Sequence, residues 1–378
     1  MNGKFLFFQW NAFMQKGIEN ALKRANAQYD VFTYYFKDWD RDDYFKNILR
    51  EKLKKDNYKF VFSVNFAPLI SDVCAESGIL YISWVYDAPI HIRRTQTLRE
   101  KTNRIYFFDR VQAEEYKSQG LKNVSHLPLA VDTDIFNVKN DGYKCDVSFV
   151  GQLYKSDFNY LCGPLDFYLR GYLEGLVNAQ IQVKQQGGYI LHELITDELI
   201  DKLNVFYKKA SGGKFSVDRK EVEYAMACEV TGRQRFMALA LLQNRCRVDL
   251  YSKDMDTRLS NVNNRGYADY YTQMPEVFKT SRINLNISLS IIQSGIPLRV
   301  LDVLGSRGFL ITNFQPELQE YFIDGKDIVI YYDIEDMISK VRYYLEHEDE
   351  RLKICDSGYK KAKELFSFDE RVLQLGLV

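Results

Sequence analysis

The chain has 378 residues, 46% apolar and 27% charged, with 51 Lys plus Arg balancing 51 Asp plus Glu. That is the make-up of a globular protein long enough for two ordinary domains, and zero net charge leaves no electrostatic footprint for nucleic acid. No apolar run reaches membrane-spanning length, and six scattered cysteines and four histidines lack zinc-site spacing, so neither a disulfide framework nor a metal is expected. Aromatic residues make up 15% of the chain, which points first to large aromatic cores and second to sugar-stacking sites. The opening FLFF run is too short for a secretory signal, and the cysteines read as buried thiols of a reducing, cytoplasmic setting.

In chain order, Lys4–Gln9 reads as a strand and Gln15–Ala25 as a helix. Strands at Asp30–Phe36, Phe60–Asn65, Ile79–Val85, Arg104–Phe108 and Val124–Leu127 alternate with helices at Asp43–Lys55 and Pro68–Ser77, the latter closed by Gly78. This alternation predicts a parallel sheet with helices on both faces. Ligands of such sheets sit beyond the carboxyl ends of the strands. Asn11, Asn65, Asp87 and Asp109 all follow strands, and the loop SWVYDAPIH supplies Trp84, Tyr86, Asp87 and His91 within eight positions. Asp87 and His91 are the candidate catalytic residues, with Asn11, Asn65, Trp84 and Tyr86 as candidate substrate-binding neighbours, and His91 reads equally as a surface histidine. For Asp87 a second reading stays open: Asp before Ala-Pro is also a good helix start.

Periodicity lapses over Pro128–Gly142, which sets an expected boundary at Asp141. Cys145–Val150 then opens a second sheet, continued by strands at Arg247–Tyr251, Ile283–Ile287, Phe309–Thr312 and Ile328–Tyr332. Between its first two strands, helical patterns at Leu161–Leu176, Thr196–Tyr207 and Glu221–Gln243 exceed the single crossover helix that a parallel pair needs. The excess reads as a helical insertion over about residues 155–232.

The stretch SGIPLRVLDVLGSRGFLITN, Ser294–Asn313, predicts a turn, a short helix over Leu298–Gly305 and a strand. Arg299 and Asp302 lie on one helix face. A helix N-terminus with an arginine beside it suits a phosphate, and a carboxylate about one turn deeper suits ribose hydroxyls. An Arg299–Asp302 ion pair on a structural helix is the equal alternative.

This stretch, with INLNIS before it and QPELQEYF and DGKD after it, resembles the CgeB-like glycosyltransferases of spore proteins, relatives of the group 1 GT-B enzymes. The resemblance implies α/β architecture of GT-B type: two Rossmann-like domains facing a cleft, with the helical insertion in the C-terminal one. The expected domains are 1–141 (acceptor side), 142–360 (nucleotide sugar) and a tail, 361–378, that crosses back. Val131, Asp132 and Phe136 match the segment before the crossing. The implied donor residues are Gly151, Gln152, Tyr251, Ser252, Asn286, Ser294, Gly295, Ile296, Pro297, Arg299 and Asp302, with Asp302 on the ribose. Ser294 stands where group 1 enzymes have a glutamate. The implied reaction moves a sugar from a nucleotide sugar, UDP-GlcNAc as the specific expectation, to a hydroxyl of a surface protein such as flagellin or of a glycan, without a metal. A sugar-nucleotide epimerase or a non-catalytic assembly protein of the same fold are the alternatives. No serine elbow or phosphate-binding Gly-Lys loop is present.

Overall fold

The computed structural model describes residues 3–90, 92–138, 142–184 and 187–378. They form two compact units: Met1–Ile135 with Ser294–Gly305 and Lys360–Val378, and Phe136–Gln293 with Ser306–Tyr359. The division falls after Ile135; the expected boundary residue, Asp141, lies outside the described residues.

The first unit contains β1 (Phe5–Gln9), α1 (Gln15–Arg24), β2 (Tyr29–Thr33), α2 (Asp43–Lys55), β3 (Phe60–Val64), α3 (Pro68–Ser77), β4 (Leu80–Val85), β5 (Asn103–Phe107), α4 (Arg110–Ser118) and β6 (Val124–His126). Its six strands are parallel, in the order β2-β1-β3-β4-β5-β6. Helices cover both faces of such a sheet, so its inner strands are apolar throughout rather than alternating. FLFFQ and FVFSV answer that demand, and every residue from Phe5 to Phe8 and from Phe60 to Val64 is buried. Phe5 stacks on Phe60 at 4.6 Å and Phe7 meets Phe62 at 5.2 Å. Much of the aromatic excess is therefore core. Gly78 closes α3 as the sequence reading expected, and does so in the left-handed conformation.

The second unit begins with β7 (Cys145–Val150). Five helices follow: α5 (Phe158–Cys162), α6 (Phe167–Lys184), α7 (Leu191–Leu194), α8 (Asp197–Ser211) and α9 (Arg219–Leu242). The single helix expected over Leu161–Leu176 is broken at Gly163-Pro164, where proline cannot continue the ladder, and restarts at Phe167. The insertion has a hydrophobic cluster of its own, including Leu169, Leu173, Leu203, Val222 and Met226. Helix α9, opened by an Asp218–Glu221 capping box, contributes to that cluster at one end. At the other end it supplies Ala238, Leu239 and Leu242 to the core of the sheet. At Gly232 a Cβ would lie 2.8 Å from the carbonyls of Leu153 and Tyr154, so only glycine lets α9 meet the loop after β7.

β8 (Val248–Tyr251), β9 (Asn263–Asn264), α10 (Met274–Thr280), β10 (Ser281–Asn286), α11 (Leu298–Gly305), β11 (Leu310–Asn313), α12 (Pro316–Tyr321), β12 (Val329–Tyr331), α13 (Ile334–Glu346), α14 (Glu348–Leu365) and α15 (Phe368–Gln374) complete the chain. The second sheet is parallel, in the order β12-β11-β10-β7-β8-β9. Helix α11 groups with the first unit, not with the second as its place between β10 and β11 implied. So does α15, which the sequence reading left as tail. Phe368 packs so tightly on α1 that a Cβ at Gly17 would fall 2.3 Å from its ring, and Arg371 Nε donates to the Pro128 carbonyl at 2.9 Å.

Candidate active site

In the first sheet the strand order reverses between β1 and β3, so the connections leaving their carboxyl ends part to opposite faces and open a crevice. A pocket of about 230 Å³ lies there, lined by Trp10, Trp39, Asn65, Phe66, Asp87, Ile90 and Ile92. Both loops that feed it carry a non-glycine residue in the left-handed region, Asn11 at φ 76° and Asn65 at φ 60°. Asparagine tolerates this conformation better than most residues, and such strain gathers at functional sites.

Asn65 is held there by its surroundings. Its N–H donates to the Trp84 carbonyl at 2.8 Å, and its own carbonyl accepts from Ser63 Oγ at 2.6 Å. The side chain then organises the β4 loop. Its Oδ1 accepts from the Tyr86 N–H at 2.9 Å, and its Nδ2 donates to Asp87 Oδ2 at 2.6 Å. No helix starts at Asp87. The chain bends and forms only a short 3-10 turn at Thr95–Arg99, so the capping reading of Asp87 does not apply. The carboxylate instead lines the pocket.

The other acceptor-side residues divide. Tyr86 is half-buried and lies nearly parallel to Trp10, ring centroids 6.4 Å apart. Asn11 is exposed. Trp84 is fully buried, donates its indole N–H to the Leu127 carbonyl at 3.2 Å and packs on Phe368. It braces the core and offers no surface to an acceptor, a correction to its expected place. His91 lies outside the described residues.

The Ser294–Pro297 turn is also corrected. The Ser294 and Gly295 N–H groups donate to Asp109 Oδ2 at 3.1 and 3.3 Å, and the Ser294 hydroxyl donates to Oδ1 at 3.1 Å. Asp109 also caps α4 by accepting from the Gln112 N–H. Of the amides expected to cradle phosphate, that of Gly295 is thus taken by a carboxylate of the protein, together with its neighbour at Ser294. Glycine is needed at 295 for close packing, since a Cβ would sit 2.9 Å from Asp109 Cα and from the Phe108 ring. Ile296 is 1% exposed, and Pro297 is buried with it. Arg299 Nη1 donates to Asp302 Oδ2 at 3.0 Å, and the Asp302 side chain is 1% exposed. Of the two readings of this pair the geometry favours the ion pair, because a carboxylate so buried does not reach ribose hydroxyls.

In the second sheet the order reverses between β7 and β10. Gly151 and Gln152 follow β7, Tyr251 ends β8 and Ser252 follows it. Burial pushes the Tyr251 hydroxyl up to about 12, and Ser252 Oγ accepts from the Asp254 N–H at 3.1 Å. Asn286 is 5% exposed and donates to Thr312 Oγ1 and Ser288 Oγ. It ties β10 to β11. Sequence reasoning missed Arg235 as a site residue. Its guanidinium donates to the Gln152 carbonyl at 2.6 Å and, through Nε, to the Ile287 carbonyl at 3.1 Å. It therefore bridges the strand ends that flank the reversal. No spacing rule links a mid-helix arginine to two strands.

Among the described residues, no group of three or more His, Cys, Asp or Glu is placed to hold a metal ion, and no helix is long and apolar enough to cross a membrane.

Residues 233–376 match a family model described as glycosyl transferase-like. No curated protein matches the chain. Among solved structures, sucrose-phosphate synthase from Thermosynechococcus elongatus superposes with a TM-score of 0.58 at 9% identity, covering 99% of this chain and 98% of that one. HepE of Anabaena in complex with UDP and glucose gives 0.55 at 7% identity, with 98% of each chain covered. A glycosyltransferase from Rickettsia africae gives 0.54 at 11% identity over 99% of this chain and 98% of its own. At such identities the likeness is one of fold, and the fold is GT-B, with two Rossmann-like units.

Proposed function

We propose that the chain is a metal-independent glycosyltransferase that moves a sugar from a nucleotide sugar to an acceptor hydroxyl bound beside Asp87. The observation that carries this is the pocket at the β1/β3 strand ends, where a carboxylate is held by an asparagine in a left-handed backbone. Donation from Asn65 Nδ2 suits an ionised, proton-accepting carboxylate. The acceptor hydroxyl gives its proton to Asp87, and its oxygen bonds to the anomeric carbon. The bond from that carbon to the diphosphate breaks, and the diphosphate leaves with the electron pair.

The donor belongs at the β7/β10 reversal, with Gly151, Gln152, Tyr251 and Ser252 around it and Arg235 supplying positive charge. A UDP-sugar is supported by the UDP complex of the Anabaena structure. UDP-GlcNAc, a CgeB-like place in the group 1 enzymes, a protein or glycan acceptor and a cytoplasmic setting complete the reading. The last is supported by six cysteines that are all free thiols.

A second reading, a non-catalytic protein of this fold, is favoured by the turn before α11, whose amides bind Asp109. Nucleotide release from a panel of nucleotide sugars separates the two. Turnover that is lost in Asp87→Asn while UDP binding persists supports transfer. No release from any donor supports the second reading.

A further inference from the structure

We infer that the acceptor is itself a sugar, a pyranoside whose ring lies against Trp10 and Trp39 with one hydroxyl directed to Asp87. The inference rests on the transfer reading above and gives it a substrate class. Trp10 donates its indole N–H to the Val64 carbonyl at 2.7 Å, which fixes the ring at the mouth of the crevice. Trp39 stands against it at 89° with centroids 5.0 Å apart, backed by Phe36 at 4.9 Å. Phe66, Ile90 and Ile92 extend the apolar wall, while Asn65 and Asp87 form a polar corner.

That division of surfaces matches a pyranose. One ring face presents C–H groups with partial positive charge, which meet the electron-rich face of an indole, and the hydroxyls lie around the rim. A serine or threonine in a polypeptide is a poor fit. It would bring backbone N–H and C=O groups against apolar walls, where unpaired polar groups are costly. At about 230 Å³ the pocket is smaller than the roughly 300–1,000 Å³ of sites for drug-sized ligands, so it takes one ring and leaves the rest of a glycan outside.

The indoles are also held firmly enough to select a ring. Asp40, next to Trp39, accepts from the N–H groups of Arg93 and Arg94 at 3.4 and 3.3 Å, which ties the loop carrying Trp39 to the one carrying Ile92. Arg94 is in turn anchored on Asp72 by two hydrogen bonds of 2.9 and 2.6 Å.

The test compares methyl pyranosides of glucose, galactose and N-acetylglucosamine with a short Ser/Thr peptide. Each is assayed as an accelerator of nucleotide release, and each is tested for direct binding by saturation-transfer NMR without donor. At least one methyl pyranoside is expected to bind and to accelerate release. Trp39→Ala should raise its KM about tenfold, the size of one aromatic contact, and Trp39→Phe should recover most of that loss; a thermal melt confirms that both variants fold. Acceleration by the peptide and by no pyranoside overturns the inference and leaves transfer standing. So does an unchanged pyranoside KM in Trp39→Ala. If no donor is turned over, the transfer reading fails, and the NMR result still decides whether the pocket binds sugar rings: absence of binding by all three overturns it.

Discussion

Asp109 and Ser294 lie 185 positions apart in sequence, and the carboxylate of the first accepts both the N–H and the hydroxyl of the second at 3.1 Å. The contact fixes the turn before α11 on the N-terminus of α4. It also places a negative charge of the protein where the sequence reading put a phosphate.

Asp109→Ala is therefore a stability variant. It leaves the N–H groups of Gln112, Ser294 and Gly295 without their carboxylate, inside a segment where Asp109 is 1% exposed. Stranded buried donors cost about 1–3 kcal/mol each before relaxation, so a loss of about 2–4 kcal/mol in urea unfolding is expected. Gly295→Ala forces a Cβ to 2.9 Å from Asp109 Cα, and overpacking of that kind costs about 1–3 kcal/mol. Unchanged unfolding midpoints in both variants would mean that the turn is not held this way.

Asp302→Ala should lower stability and leave UDP affinity alone. Removing one partner of a buried pair costs about 3–5 kcal/mol. The Arg299 side chain is 23% exposed and can rehydrate, so about 1–3 kcal/mol is the expected loss. A thermal melt beside a calorimetric UDP titration reads both quantities, and a decade of lost affinity would return Asp302 to the donor site.

Most of the strands and longer helices were legible because periodicity marks them, whereas α4, α12 and the two-residue β9 were not predicted. Helix α2 was predicted at Asp43–Lys55 and α3 at Pro68–Ser77, and both are found there. Asp87 was found as the residue after a central strand, which topology alone singles out. The helix-face spacing of Asp302 and the resemblance, and for Trp84 its place at the end of a strand, point to a site, yet burial is a tertiary property that spacing does not carry. The Asp109–Ser294 contact joins positions that no local pattern connects. Arg235 was hidden for the same reason, since its partners are main-chain carbonyls of two strands far along the chain.

The rim of the Asp87 pocket should weaken in acid. Burial alone would raise the Asp72 carboxyl, but hydrogen bonds from Arg94 and Lys46 and their positive charges outweigh it and hold the group below its ordinary value. A carboxylate depressed in the folded state adds stability that is full above its unfolded pKa of about 3.9. That stability is lost as pH falls through the folded value. Asp72→Asn should thus be less stable than wild type at pH 7, with the gap closing as pH falls below about 4. Urea midpoints across that range check it, and a gap independent of pH would remove Asp72 as the source.

Arg235 separates charge from geometry on the donor side. Its guanidinium spans the carbonyls of Gln152 and Ile287 and lies over the rings of Tyr154 at 4.7 Å and Phe149 at 5.2 Å. A lysine keeps the positive charge but has no planar fork to bridge two carbonyls, and it stacks less well on a ring. Arg235→Lys should therefore lose about 2–3 kcal/mol of stability, the worth of one or two charge-assisted hydrogen bonds, while keeping UDP affinity within about threefold, well under the 1.4 kcal/mol of a full decade. Arg235→Met removes the charge as well. It should lose a similar amount of stability and, in addition, about a decade or more of UDP affinity, because the diphosphate then meets the β7/β10 strand ends without a cation. Calorimetric UDP titrations of the three proteins, run well below their melting temperatures, report the split directly. Equal affinity in all three would move the diphosphate away from the β7/β10 reversal and reduce Arg235 to a brace between two strand ends.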